Sequence, residues 1–427
     1  MKPPIKSLSA SRSSGLATLA TLMLLLMASL LAAAWAQRNS LNEIRTAANQ
    51  LHRNSAFEAA EAGLAWAQAM LNGNDAIGAD CQAGTGETAS TFRSRYLQPA
   101  DAAGRFQPRT QSAAATPLSV ACVRGSTGWS CSCPANGAPP ALPSEGTEST
   151  PMFEVQLLAG SAAGSVEVMS IGCSHTGTPC TAGATQRADA NARLRLTLAF
   201  LPSMAMPPVA TLTTIGDVTA ASASLGLHNA DALSGGLAAH AGGAISGSFI
   251  RVSTSPGAVP AAAMLRNDEP LSALTPDQLF SRHFGTDLNQ WKFLPGINRL
   301  QCADDCSAAV MSLIDSSADI TRIAVDGNLQ LSGNVQVASR DKPVVLVVDG
   351  NVSLRGPVQI HGLVFARSMQ WDAADVGTGA LLHGAVLLSQ TYSGDGSPDL
   401  VYDPVLMLRL KRQSGSWLRV PGSWRDF

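Results

Sequence analysis

The chain opens with a long run that carries no charge. Ser13 to Gln37 holds no Asp, Glu, Lys or Arg, and Leu16 to Ala36 is a continuous stretch of small and aliphatic residues closed by one Trp. As a helix this stretch is about 31 Å long, enough to cross a ~30 Å hydrocarbon core. The pattern then changes without a break. Leu41, Ile44, Ala48 and Leu51 recur at steps of three and four, and Phe57, Ala60, Leu64, Ala67 and Leu71 continue the stripe with a small offset. No Pro lies between Leu16 and Gln98, and no Gly between Leu16 and Gly63. One helix is therefore predicted over 16–72, apolar all round at first and amphipathic later, ending at the turn signal Asn72-Gly73-Asn74.

Beyond the helix the period shortens to two. Phe153 to Leu157, Val166 to Ile171 and Asn191 to Leu198 alternate apolar and polar residues, which predicts an antiparallel sheet with one wet face and one face on the helix. Residues 73–150, rich in Ala, Gly, Ser, Thr and Pro, read as irregular, with Trp129 to Pro134 as a surface disulfide loop. This unit extends over 73–202, and Met204 to Pro208 reads as a linker. From 209 to 427 short apolar runs alternate with Gly, Asn and Asp. Residues 325–337 and 348–360 match at eight of 13 positions at an offset of 23. A repeat of this period predicts stacked strand–turn–strand coils, a β-solenoid, in which residues 209–262 form weaker coils. A β-sandwich with two similar hairpins is the alternative. A helical insert is expected at about 275–314, opened by Thr275 and Pro276 and facing Leu279, Phe280, Phe284 and Leu288 inward. Trp417, Val420, Trp424 and Phe427 are expected to seal the solenoid's end. The fold class is α+β: a long helix, an antiparallel sheet, then a mostly-β region.

Composition sharpens this picture. Only 14% of the 427 residues are charged and the formal net charge is -2, so no basic footprint for nucleic acid exists. All eight cysteines follow the apolar run. An even count beyond a membrane segment points to disulfides in an oxidising compartment. Zinc would need C-x2-C pairs or a His partner, which Cys131-Ser132-Cys133 and the Cys302 to Cys306 spacing do not supply. Local closure makes Cys173 with Cys180, and Cys302 with Cys306, the candidate disulfides. Lys2, Lys6 and Arg12 precede the apolar run and no acid occurs before Glu43. The N-terminus is thus expected in the cytoplasm and the body in the periplasm. A cleaved secretory signal ending at Ala34-Trp35-Ala36 is the alternative, although the apolar run exceeds the usual signal-peptide core.

A short basic leader ending in Gly15, a charge-free helix, and then Phe57-Glu58-Ala59-Ala60-Glu61-Ala62-Gly63-Leu64 together resemble the PilX family of type IV pilus assembly proteins. Tip pseudopilins of type II secretion are similar in the same segment, roughly residues 10–72. The resemblance implies a prepilin-like leader at 1–15 cut by a prepilin peptidase between Gly15 and Leu16. It also implies a transmembrane segment at 16–36, a pilin-like head at 73–202, and Phe57, Glu58, Glu61 and Gly63 as the helix motif. The implied partners are other minor pilins, pilus assembly proteins and the inner membrane. Major pilins carry Glu at the fifth mature position, whereas this chain has Ala20. Ala cannot pair with a neighbour's N-terminal amine inside the membrane, which favours a tip or priming role over a repeating shaft subunit. The other class considered is a membrane-tethered, self-polymerising β-solenoid scaffold of bactofilin type.

Motifs for catalysis are absent: no G-x4-G-K-[ST], H-E-x-x-H or G-x-S-x-G occurs. No catalytic, cofactor-binding or metal residue is assigned, and a structural part rather than an enzyme is expected. His361-Gly362 and His383-Gly384, 22 residues apart, read as a stacked polar ladder or a metal pair. Ser393 to Asp399 resembles a calcium loop but lacks the closing Glu, so an exposed turn is expected. Asp326 and Asp349, in the repeated Val-Asp-Gly-Asn, are expected to bond the local backbone.

Overall fold

A computed structural model describes residues 14–84, 90–111, 116–134, 150–175, 180, 190–220, 224–247, 250–373 and 379–426. Its first element, α1 (Ser14–Asn72), is an unbroken helix of 59 residues, about 88 Å long. Every side chain described from Ala17 to Leu51 is exposed. Burial starts at Ala56 and recurs at Ala59, Ala60, Gly63, Leu64, Ala67 and Leu71, the face expected from the second apolar stripe.

That face lies on an antiparallel sheet. Strands β1 (Ser119–Arg124), β2 (Trp129–Ser132), β3 (Met152–Ala159), β4 (Ser165–Cys173) and β5 (Asn191–Pro202) run in the order β2-β1-β3-β4-β5. Small residues set the distance between helix and sheet. A Cβ placed on Gly172 of β4 would collide with the Ala56 carbonyl and the Ala60 amide, and one on Gly63 would strike the Ser170 hydroxyl and the Phe153 ring. With the backbones this close, Leu64 and Leu71 interlock with Phe153, Val155, Val168 and Leu196. Each such leucine contributes about 2 kcal/mol by leaving water. A short helix, α2 (Phe92–Tyr96), capped by the Thr91 hydroxyl, packs Phe92 edge-on against Trp66. Disulfides join Cys81 to Cys133, Cys122 to Cys131, Cys173 to Cys180 and Cys302 to Cys306. Trp129 to Ser132 is a strand and not the expected surface loop, because Trp129 packs on Phe153 and the cysteines pair inward.

Residues 212–401 form two sheets of parallel ladders. One aligns Thr321–Asp326, Val344–Val348, Gln359–Ala366 and Leu381–Leu388; the other aligns Leu329–Ser332, Val352–Arg355, Met369–Ala373 and Tyr392–Gly396. The internal repeat stacks on itself in register: Val325 pairs with Val348, Leu329 with Val352 and Val337 with Ile360. Burial explains the texture of the strands. Leu329 and Leu331 point inward while Gln330 and Ser332 alternate outward. Val344–Val348 is buried throughout, with Val344, Leu346 and Val348 in the core between the sheets and Val345 and Val347 under helices.

The chain enters this stack in its middle. Leu212–Thr214, Val218–Ala220 and Gly226–His228 pair with Leu381–Leu388, Tyr392–Gly396 and Asp399–Val401, while Ile245–Gly247 and Arg251–Ser253 stack outside them. Helices Glu269–Ser272, Pro276–Phe284 and Leu288–Lys292 then carry the chain across to Asn298–Gln301 at the opposite edge. The helical insert is thus a crossover. Thr275 and Gln278 form a capping box, and Phe280 and Phe284 pack on Phe365. The expected linker is partly built into this layer, with Met204 buried and His283 accepting at its carbonyl from the Ala205 and Met206 amides.

Three expectations are corrected. Asp326 and Asp349 do not serve the local backbone: both bind Lys292 of the crossover, at 3.0 and 2.9 Å, and Arg299 and Arg367 complete the row. Ser393 to Asp399 is not an exposed turn, since it belongs to paired strands in which Asp399 holds Arg251 at 2.7 Å. The C-terminal aromatics do not seal the parallel stack. After the helix Pro404–Gln413, Gly415–Arg419 joins β5 of the antiparallel sheet, which removes these residues from the expected 209–427 unit. Trp417 is buried between Phe106 and Phe200, and Trp424 packs on Phe57. Phe427 lies outside the described residues.

A bulky residue at position 172 has nowhere to go. Gly172→Val should destabilise the fold by on the order of 2–3 kcal/mol, whereas Glu58→Ala should change it by less than about 0.5 kcal/mol. Denaturant unfolding of the detergent-solubilised chain, followed by near-UV circular dichroism, measures both.

Candidate functional site

Gly15 and Leu16 fall in the first turn of α1; the surroundings of the Leu16 side chain, and the leader 1–13, lie outside the described residues. The helix motif divides between two faces. Gly63 and Phe57 face the protein, against Ser170 and Trp424, while Glu58 and Glu61 are exposed on the opposite side. Among the described residues, one helix is long and apolar enough to cross a membrane, within Ala17–Asn72. Most of the exposed large apolar side chains among the described residues lie on this helix, from Leu19 to Trp35 and then at Ile44 and Leu51.

The other end of the helix is a knot that connects the antiparallel head to the parallel lobe. Helix C-termini leave carbonyls without partners, and here side chains meet them. Arg93, delivered by α2, donates to the Leu71 carbonyl through Nε and Nη2, and to the Gln413 and Gly415 carbonyls at 2.9 and 3.2 Å. Asn72 grips the C-terminal strand twice: its Nδ2 donates to the Trp417 carbonyl at 3.0 Å and its Oδ1 accepts the Trp417 amide at 2.8 Å. Arg322 of the parallel lobe donates to Ser416 Oγ and the Pro295 carbonyl, and the Asn74 carbonyl accepts the Ala318 amide. Burial depresses the Arg93 guanidinium, and burial together with Arg93 pushes Arg322 down to about 9. Backbone carbonyls and the Ser416 hydroxyl hold these two cations, and the charge of Asp319 favours both. Sequence reading missed all of them. An Asn at a helix C-terminus reads as a turn signal, and Phe92 to Tyr96 sits in an Ala- and Ser-rich stretch with no visible period.

His361 and His383 stack with ring centroids 5.3 Å apart and nearly parallel planes. Burial lowers both, and the paired ring lowers His361 further. No group of three or more His, Cys, Asp or Glu with metal-ligand geometry occurs among the described residues.

No family model and no curated protein matches this chain. Among solved structures, the crystal structure of the competence-associated pilin ComZ from Thermus thermophilus overlaps 88% of this chain and 97% of that one, at 10% identity and a TM-score of 0.22. A superposition that loose supports no inference.

Two tests follow from the geometry. Asn72→Ala leaves buried groups of the C-terminal strand unpaired and should cost about 1–3 kcal/mol, with faster tryptic cleavage after Arg419 as the local readout. The histidine pair is depressed in the fold and returns to its ordinary value on unfolding, so its contribution is present above about pH 6.5 and lost as pH falls. Thermal unfolding between pH 7 and 5 should show this loss, and the double variant His361→Gln/His383→Gln should reduce it, leaving the part that the buried and likewise depressed His283 contributes.

Proposed function

We propose that this chain is a minor pilin or assembly factor of a type IV pilus system, a structural part and not an enzyme. The observation that supports this reading is the division of α1. Its first 35 or so described residues bury nothing, while its last turns form the spine of the protein's own sheet. So long an apolar surface is costly in water. A bilayer would cover residues 16–36, and sister helices would cover the stripe at Leu41, Ile44, Ala48 and Leu51. Basic residues before the span favour a cytoplasmic N-terminus and a periplasmic body. In place of the Glu that pairs subunits along a shaft stands Ala20, which suits a tip or priming position. The parallel lobe, read as a β-solenoid, would then be the part displayed to surface or tip components.

One observation favours the scaffold reading. The stack's outermost strands at Ile245–Gly247 and Arg251–Ser253 are edges that the C-terminal aromatics leave open. These strands are three residues long and bear the exposed Arg251, features that blunt an edge against further pairing. The pilus reading is therefore preferred.

The test is the N-terminus of the protein isolated from membranes with and without prepilin peptidase. Leu16 as the first residue, and accumulation of precursor in Gly15→Glu, are expected. A first residue at Gln37 would instead mark an ordinary secretory product.

A further inference from the structure

We propose that a cavity at the junction of the two lobes binds a small oxyanion, with inorganic phosphate as its simplest form. The proposal is independent of the pilus reading. The cavity is partly open to solvent and has a volume of about 180 Å³, and its walls include Arg93, the exposed Arg109 and Phe106 of the head, Asp319 of the parallel lobe, and Arg412 at the end of the helix Pro404–Gln413.

Charge is out of balance here. Three guanidinium groups face one carboxylate. Arg93 is occupied by backbone carbonyls. Arg109 gives its Nε to the Ser94 carbonyl at 3.0 Å, and its terminal amines meet no partner among the described residues. Arg412 likewise meets none. Asp319 accepts the Ile320 amide at 2.8 Å and forms no ion pair among the described residues. Its charge acts on Arg93 and on the buried Arg322, and not on Arg109 or Arg412 through any ion pair among the described residues.

A concave site in which Arg109 and Arg412 have no ion pair among the described residues, beside an apolar wall, concentrates positive potential, and guanidinium donors suit the paired oxygens of phosphate. Arg412 at a helix C-terminus also has a plain structural use, since it complements the helix dipole. That use does not account for Arg109, which lies on a different lobe and on no helix end. Size selects the ligand. Sites for drug-sized molecules run from about 300 Å³ upward, so the volume of this cavity suits an anion of a few heavy atoms. Because the cations come from both lobes, an occupant would tighten the junction at which α1 ends.

The test uses the full chain in detergent, with thermal unfolding and titration calorimetry in sodium phosphate against sodium chloride at equal ionic strength. Phosphate should raise the unfolding temperature saturably, as expected for a ligand of the folded state. The double variant Arg109→Gln/Arg412→Gln should unfold as wild type in chloride and bind phosphate at least tenfold more weakly. Arg412→Glu, whose fold can be checked in chloride in the same way, should lose binding as well. Identical unfolding of the wild type in both salts would overturn the proposal, and so would an undiminished phosphate response in the variants.

Discussion

The structure depends on how closely one helix can approach one sheet. At Gly172 the β4 backbone comes so near to the backbone of Ala56 and Ala60 that no side chain fits there, and on the helix Gly63 makes room for the Ser170 hydroxyl and the Phe153 ring. This contact fixes the rotation of α1. It turns Leu64, Ala67 and Leu71 into the head's core and leaves Glu58 and Glu61 outside. The same rotation then governs the far end of the helix, where the Leu71 carbonyl and the Asn72 side chain become the receptors for Arg93 and the C-terminal strand. α1 is thus exposed along its first half and fastened along its second.

Fastening the rod also organises the rest of the chain. Gly415–Arg419 returns to the head sheet and brings Trp417 into its core, so the parallel lobe is tied at its entrance, after β5, and at its exit, before the C-terminal strand. Within that lobe the crossover helices do a similar job along the stack. They cover the outer face of one sheet with Phe280, Phe284 and Trp291 and deliver Lys292 to the two repeated aspartates. The buried polar groups Asn72, Lys292, Arg322 and Ser416 sit at such joints, where they select one arrangement of otherwise similar apolar surfaces.

Local pattern made much of this legible in the sequence. The 3.6-residue stripe marked the buried face of α1, alternation marked β3 and β5, and the 23-residue offset matched the strands that lie on each other, whereas β4 lacks the expected wet face because Met169, Ile171 and Cys173 form a second apolar cluster with Val123, Met152 and Cys180. What stayed hidden depends on partners far away in the chain. Nothing near Gly415 announces a strand, because its partner residues lie near 200. Val-Asp-Gly-Asn looks like a self-contained turn, because the cation it binds arrives on a distant helix. Arg93 and Arg322 were invisible for the same reason: the carbonyls that hold them arrive on distant segments, near residues 71, 295 and 414. Hydrophobic period reports which face is covered, not which element covers it.

The central claim is that α1 passes through two media, lipid first and protein afterwards. The most direct measurement is labelling of single introduced cysteines in intact cells and in isolated membranes with a membrane-impermeant maleimide. Cysteine at Leu24 should stay unlabelled until detergent is added, while cysteine at Thr46 should react from the periplasmic side. Equal labelling of both positions without detergent, on a chain that alkaline carbonate releases from membranes, would contradict the account.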